Sequence, residues 1–330
     1  MNAHANIDSN NDLSGPTPNA QTASAALAAK VRPLYWSLRR ELWENRSIYI
    51  APSAVALIVL VSALINLVRI PEGTVPFHRL LEISPHYLRM ASLSLYGVIA
   101  GILGVTAGIV GWFYCLDALF SERRERSVLF WKSLPVSDIT TVLSKVLTGM
   151  VVVPLAALIV GVVLYFILML IASIVLMANG VTGTLLFANS SFGEAFVMHV
   201  YGATAAILWC APLYAWAIFV SSWVRRATFL WALLPPAAIS LAEALAFGTQ
   251  HFMKMISARF SGGLEYAFAA STNAMQGEEF HFEPENFPDP LFSLLDPVRF
   301  LSQPGLWVGL IIAAAFIAAS IWMRRYREPL

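Results

Sequence analysis

The chain has 330 residues, of which 58% are hydrophobic and 12% charged, with a formal net charge of +1 and a mean hydropathy of +0.67. A soluble globular domain carries about 25% charged residues. This composition therefore excludes an ordinary soluble domain and describes a polytopic membrane protein, while the small net charge points to no partner because only its distribution is informative.

Residues 1–30 are polar and rich in Asn, Ser, Ala and Thr. They read as a disordered tail. They lack the apolar core of a cleavable signal peptide, so the first hydrophobic span is expected to act as an uncleaved anchor. Next comes LYWSLRRELW at 34–43. Here Tyr35, Leu38 and Leu42 share one face by spacing, with Arg39, Arg40 and Glu41 largely elsewhere. This pattern predicts a helix in the membrane interface, either a plain juxtamembrane anchor or a part with a mechanical role.

Crossing the hydrocarbon core takes about 20 mostly apolar residues. Stretches at 48–68, 88–119, 142–177, 196–223, 229–247 and 306–323 meet this requirement. The second and third exceed one crossing and are expected to tilt or to project from the bilayer. With both termini in the cytoplasm, 15 of the 21 basic residues fall on the cytoplasmic side and six outside. The positive-inside rule thus favours six spans with N and C termini inside.

Along the second span, Gly97, Gly101, Gly104, Gly108 and Gly111 fall on one helical stripe. Small residues let helix backbones approach closely in lipid. The stripe reads as a helix-packing seam or as the wall of a substrate path, and both hold if it lies at a dimer interface. Asp117 reads as an interfacial residue or a relay, and His199 as an interfacial histidine. Glu243, inside the fifth span, is the leading functional candidate because an ionisable group in a span is costly. Pro235-Pro236 in the same span predicts a kink or a discontinuity.

Residues 248–304 form the sizeable polar segment, expected as an external region of short helices and loops. Within it, Glu279, His281, Glu283 and Glu285 would share one face of a strand. That face is either a solvated edge or a divalent-cation site, and Pro284 argues against a long strand. Cys115 and Cys210 sit in apolar runs and read as packed small hydrophobes. No HExxH, GxSxG or GxxxxGK[ST] motif occurs, so the chain has no phosphate loop with which to hydrolyse ATP. It is expected to bind no cofactor or metal of its own and no nucleic acid.

The most informative stretch is 116–145, LDALFSERRERSVLFWKSLPVSDITTVLSK, which sets a dense charge cluster between two long apolar runs. Charges at Glu122, Arg123, Arg124, Glu125 and Arg126 belong at the membrane surface. The following Val128, Leu129, Phe130 and Trp131, stopped near Pro135, predict a short amphipathic helix suited to pressing on a soluble partner. This order of elements resembles the permease subunits of ABC-2 type transporters. The resemblance lies in Glu122 to Arg126, then the apolar turn, then Ser133-Leu134-Pro135-Val136-Ser137. The six spans, the N-terminal interfacial helix and the enlarged connection between spans five and six match as well.

The resemblance implies an all-α membrane domain over 31–330, seated in a bacterial inner membrane. It would be paired with a second permease, as homodimer or heterodimer, and with two copies of a separate ATP-binding cassette ATPase. ATP and Mg would sit on that ATPase. The loop between spans two and three would be its coupling helix, with Glu122, Arg123, Arg124, Arg126, Phe130, Trp131 and Pro135 at the contact. The implied direction is export, of an amphipathic small molecule, a peptide or a lipid-like substrate. From another class, a polytopic membrane enzyme or a non-transporting scaffold also fits the spans.

Overall fold

In a computed structural model, the described residues are 33–69, 85–124, 137–180, 182–188, 190–268 and 291–326. The N-terminal tail, Arg126, Phe130, Trp131, Pro135 and the Glu279–Glu285 run lie outside them. Among the described residues the fold is helical, with a single isolated bridge between Phe268 and Leu295. Six helices are long and apolar enough to cross a membrane.

Chain order begins with α1 (Pro33–Glu44) and α2 (Ser47–Arg69), followed by α3 (Pro85–Arg124). The next span is α4 (Asp138–Leu147) continued through a π turn (Thr148–Val152) into α5 (Val153–Ala178). After the four-residue α6 (Leu185–Ala188) come α7 (Phe192–Trp223), α8 (Thr228–Phe247) and α9 (His251–Ala267). A 3-10 turn (Leu291–Leu294), α10 (Pro297–Leu301) and α11 (Pro304–Tyr326) complete the chain.

α3 has 40 residues, which at 1.5 Å per residue is about 60 Å, twice the roughly 30 Å hydrocarbon core. Its length therefore exceeds one perpendicular crossing. α4 starts where Ser137 caps it: the Ser137 side chain accepts from the Thr140 amide at 3.1 Å. The π turn falls just before Pro154, whose missing N–H leaves the carbonyl of Met150 without its usual helical donor.

α7 is the hub, packed by α3, α8, α9 and α11. Its buried Ala205, Ala211, Ala215 and Ala217 let those backbones come close. Small residues do the same where α3 meets the π turn. A Cβ on Gly111 would stand 2.7 Å from the Gly149 carbonyl oxygen, and one on Gly149 would run into the Cys115 sulfur.

Of the two outcomes expected at Pro235-Pro236, the discontinuity does not occur. α8 is one continuous helix through Pro235 and Pro236. Proline at 236 removes the donor that Ala232 O would have had, and the Trp216 indole of α7 supplies one instead, at 3.0 Å. After α8 the described residues include helices at 251–267 and 297–301 and a 3-10 turn at 291–294. The 17-residue α9 docks on α7, with the Trp209 indole donating to Ala258 O at 2.8 Å and Gly262 and Gly263 seated against its ring.

Both ends of the described chain lie at the same end of the bundle. Arg40 of α1 and Arg324 of α11 both bind Glu122 at the end of α3. An even number of crossings requires that arrangement.

Candidate functional site

Several charges that the sequence distributes over four helices meet at this end. Glu41 of α1 is 1% exposed. Its carboxylate accepts from Lys145 Nζ at 2.9 Å, Arg40 Nη2 at 3.0 Å and the Tyr114 hydroxyl at 2.7 Å. Asn45 adds a longer bond at 3.3 Å. Glu122, also buried, takes Arg324 Nη1 at 2.6 Å, Arg40 Nη2 at 3.0 Å and Lys145 Nζ at 3.1 Å. Arg324 then reaches Asp138 Oδ1 with its Nε at 3.0 Å. Carboxylates of Glu41, Glu122 and Asp138 are thus matched by Arg40, Lys145 and Arg324.

The local sequence accounts for each position. On α1, the face turned inward carries Ser37, Leu38 and Glu41, and it continues through Asn45 to the fully buried Ile48. The exposed face carries Tyr35, Trp36, Arg39 and Trp43. This corrects the face read from spacing, since Tyr35 is turned away from Leu38. The ion pairs of Arg40 and Glu41 set the rotation of α1, because leaving those charges unpaired in a buried place costs more than exposing aromatics. On α4, Val142, Lys145 and Val146 are all buried on the packed side.

Burial alone pulls the Arg40 guanidinium down, but Glu41, Glu44 and Glu122 more than reverse this and raise it above its ordinary value. Arg40 stays charged. Burial raises the Glu44 carboxyl at the rim, and Arg40, 3.3 Å away, only partly offsets it. Each ion buried in the network carries a desolvation cost of several kcal/mol, recovered only through good geometry. The network is better suited to fixing one arrangement of helices than to adding stability.

The expected site residues fall in different places. Glu122 is inside the network and faces no open surface. Arg123 turns to α7 and donates to Ser221 O at 2.6 Å and Val224 O at 2.7 Å, closing that helix's carbonyl end. Arg124 is exposed over the Phe120 ring. Of the glycine stripe, Gly111 is packed and Gly108 accepts the Tyr214 hydroxyl at 3.1 Å. At Gly97, Gly101 and Gly104 an added Cβ would have no atom of the described residues within 4 Å. Asp117 is exposed, and half-buried His199 stands edge-on to Tyr96.

Glu243 is accounted for as a helix cap. It accepts from the Thr249 hydroxyl at 2.7 Å and from the amides of His251 and Phe252 at 2.7 and 2.8 Å, holding the first turn of α9. Arg259, counted among the outer basic residues, turns inward. It lies over the Trp209 ring at 4.9 Å and donates to Gly305 O at 2.7 Å. Cys115 and Cys210 are free thiols, the first fully buried. Among the described residues, no group of three or more His, Cys, Asp or Glu is placed to hold a metal ion.

Sequence reasoning missed Glu41, Tyr114, Lys145 and Arg324 as members of one site. A signal existed for Lys145, which sits at the head of a long apolar run where a lone ammonium would need a partner. Compared with protein-family models, with curated proteins and with solved structures, the chain matches none.

Proposed function

We propose that the chain is the permease subunit of an ABC-2 type transporter, driven by a separate ATP-binding cassette ATPase that carries ATP and Mg. Its charged end lies in the cytoplasm of a bacterial inner membrane, and a second permease completes the path. One observation supports this reading above the others: Arg324 holds Glu122 and Asp138 together, and these residues stand on either side of the 125–136 segment. A lever that transmits force from a soluble motor must be anchored on both sides. Here the anchor is shared with α11 and, through Lys145 and Arg40, with α1.

Under this reading, Arg124 and the 125–136 segment meet the ATPase, while Glu122 and Arg123 pass displacement inward to α11 and α7. The substrate is exported, and the six helices offer apolar surroundings for an amphipathic molecule, a peptide or a lipid-like compound. The test is to purify the full chain from its native membrane and identify what accompanies it. A co-purifying ATPase whose retention drops on reversing Arg124 and Arg126 to Glu supports the assignment. A chain that comes without an ATPase in mild detergent, or an ATPase retained equally by the reversed variant, overturns it.

A further inference from the structure

The exposed face of α1 is the feature that neither the ionic network nor the transport reading uses. Trp36, Arg39 and Trp43 follow i, i+3, i+7 and share one side of the helix. The Arg39 guanidinium lies 5.4 Å from the Trp36 ring centre and 5.7 Å from that of Trp43. Both indoles are open, at 53% and 73% exposure, and Tyr35 stands edge-on to Trp36. Among the described residues Arg39 makes no ion pair, and Glu44 of the same helix is engaged by Arg40. The face is therefore aromatic with a positive charge at its centre.

Its level relative to the bilayer follows from its neighbours. Only Asn45 and Arg46 separate α1 from the first membrane-spanning helix. At the same end of the bundle, Tyr49, Trp231, Trp322 and Tyr326 are exposed rings. Interleaved with them are Arg46, Arg225, Arg226 and Arg325, none of them ion-paired among the described residues. Tryptophan and tyrosine collect at the membrane–water boundary, and arginines beside them attract anionic lipid.

We propose that the Trp36–Arg39–Trp43 face of α1 is a binding site for the headgroup of an acidic phospholipid. The arginine fork donates to the phosphate diester. The two indoles hold that fork in place, and their apolar bodies rest at the level of the glycerol backbone, where their N–H groups can donate. A soluble protein partner would have to leave the rings in contact with lipid, whereas a phospholipid satisfies rings and charge together. Arg40 borders this face and Glu41 lies on the opposite side of α1, so an occupied site is next to the ionic network. The inference requires the membrane reading but not the transport reading.

The experiment uses the full chain purified in a neutral detergent, with retained lipid counted by native mass spectrometry after addition of phosphatidylglycerol or phosphatidylcholine. The wild-type chain is expected to keep phosphatidylglycerol in preference. Arg39→Gln is expected to lower that retention about fivefold, the effect of one interfacial charge. Arg39→Lys keeps the charge without the fork and falls between. Lys254→Gln, exposed on α9 beyond the far end of α8, leaves this adduct unchanged. Retention of phosphatidylglycerol by Arg39→Gln at the wild-type level overturns the proposal. So does competition by inorganic phosphate at equal strength, which would make this a general anion site. Loss of a soluble partner protein from Arg39→Gln with lipid retention intact would also overturn it, as the mark of a protein-docking face.

Discussion

Glu122 and Arg324 meet at 2.6 Å although 202 residues separate them in the chain. With Arg324 also on Asp138, one side chain of the last span holds the residues flanking the 125–136 segment. The two contacts differ in depth, because Glu122 is buried and Asp138 is partly exposed. Arg324→Gln is therefore expected to cost about 3 to 5 kcal/mol by stranding Glu122, and Asp138→Asn about 1 kcal/mol or less. Thermal unfolding of the detergent-solubilised chain measures both. Equal losses would show that Glu122 is held by Arg40 and Lys145 alone.

Lys145 offers a sharper test of the same network. Its ammonium lies between Glu41 and Glu122 and is 3% exposed. Lys145→Met leaves two buried carboxylates short of a partner and should destabilise by about 3 to 5 kcal/mol. Adding Glu41→Gln to that variant removes one stranded charge and should recover part of the loss. No recovery in the double variant would mean that Lys145 and Glu41 are not energetically coupled.

The spans were legible in the sequence because hydrocarbon imposes a length and a composition on every crossing. The stretches at 229–247 and 306–323 correspond to α8 and α11 to within a few residues. The network was not legible. Its members lie far apart in sequence, and nothing local tells that Glu41 is turned inward while Arg39, two residues earlier, faces out. Lys145 and Arg324 contributed to the topology only as positive charges, and their partners depend on which helix ends come together. Glu243 looked costly for a related reason: its partners, the first amides of α9, belong to a helix that polar composition did not announce.

For Glu243 the expected outcome is structural. Glu243→Ala removes three hydrogen bonds from the start of α9. Faster amide exchange should appear at His251 and Phe252, while Glu243→Gln, which keeps an acceptor oxygen, should lie closer to wild type. Transport or substrate binding lost in Glu243→Gln with normal exchange in α9 would give Glu243 a functional role beside the cap.

Orientation can be tested by labelling: the distribution of basic residues leads us to propose that the charged end faces the cytoplasm. Cysteine at Thr184, between α5 and α7, should react with an impermeant reagent from outside. Cysteine at Arg226, between α7 and α8, should react only after permeabilisation. The native thiols give little background, because Cys115 is buried and Cys210 donates to Arg259 O at 3.1 Å inside the bundle. The reverse pattern would turn the charged end outward and remove the basis for a cytoplasmic motor.

The glycine stripe separates two kinds of contact along one helix. At Gly111 a side chain meets the Gly149 carbonyl within the same chain, and neither backbone can move without shifting α3 or the π turn. Gly111→Leu should therefore lower the stability of the isolated chain by about 1 to 3 kcal/mol, as overpacking does. At Gly97, Gly101 and Gly104 a Cβ meets open space among the described residues, so Gly104→Leu should leave the isolated chain as stable as wild type. If these three glycines seat a second permease, Gly104→Leu should nevertheless weaken the pair, because the added side chain would separate backbones held by van der Waals contact. Cross-linking and hydrodynamic size in mild detergent read the pair, and thermal unfolding reads the single chain. Gly104→Leu that alters neither would place that stretch of α3 against lipid and assign any permease contact to another face.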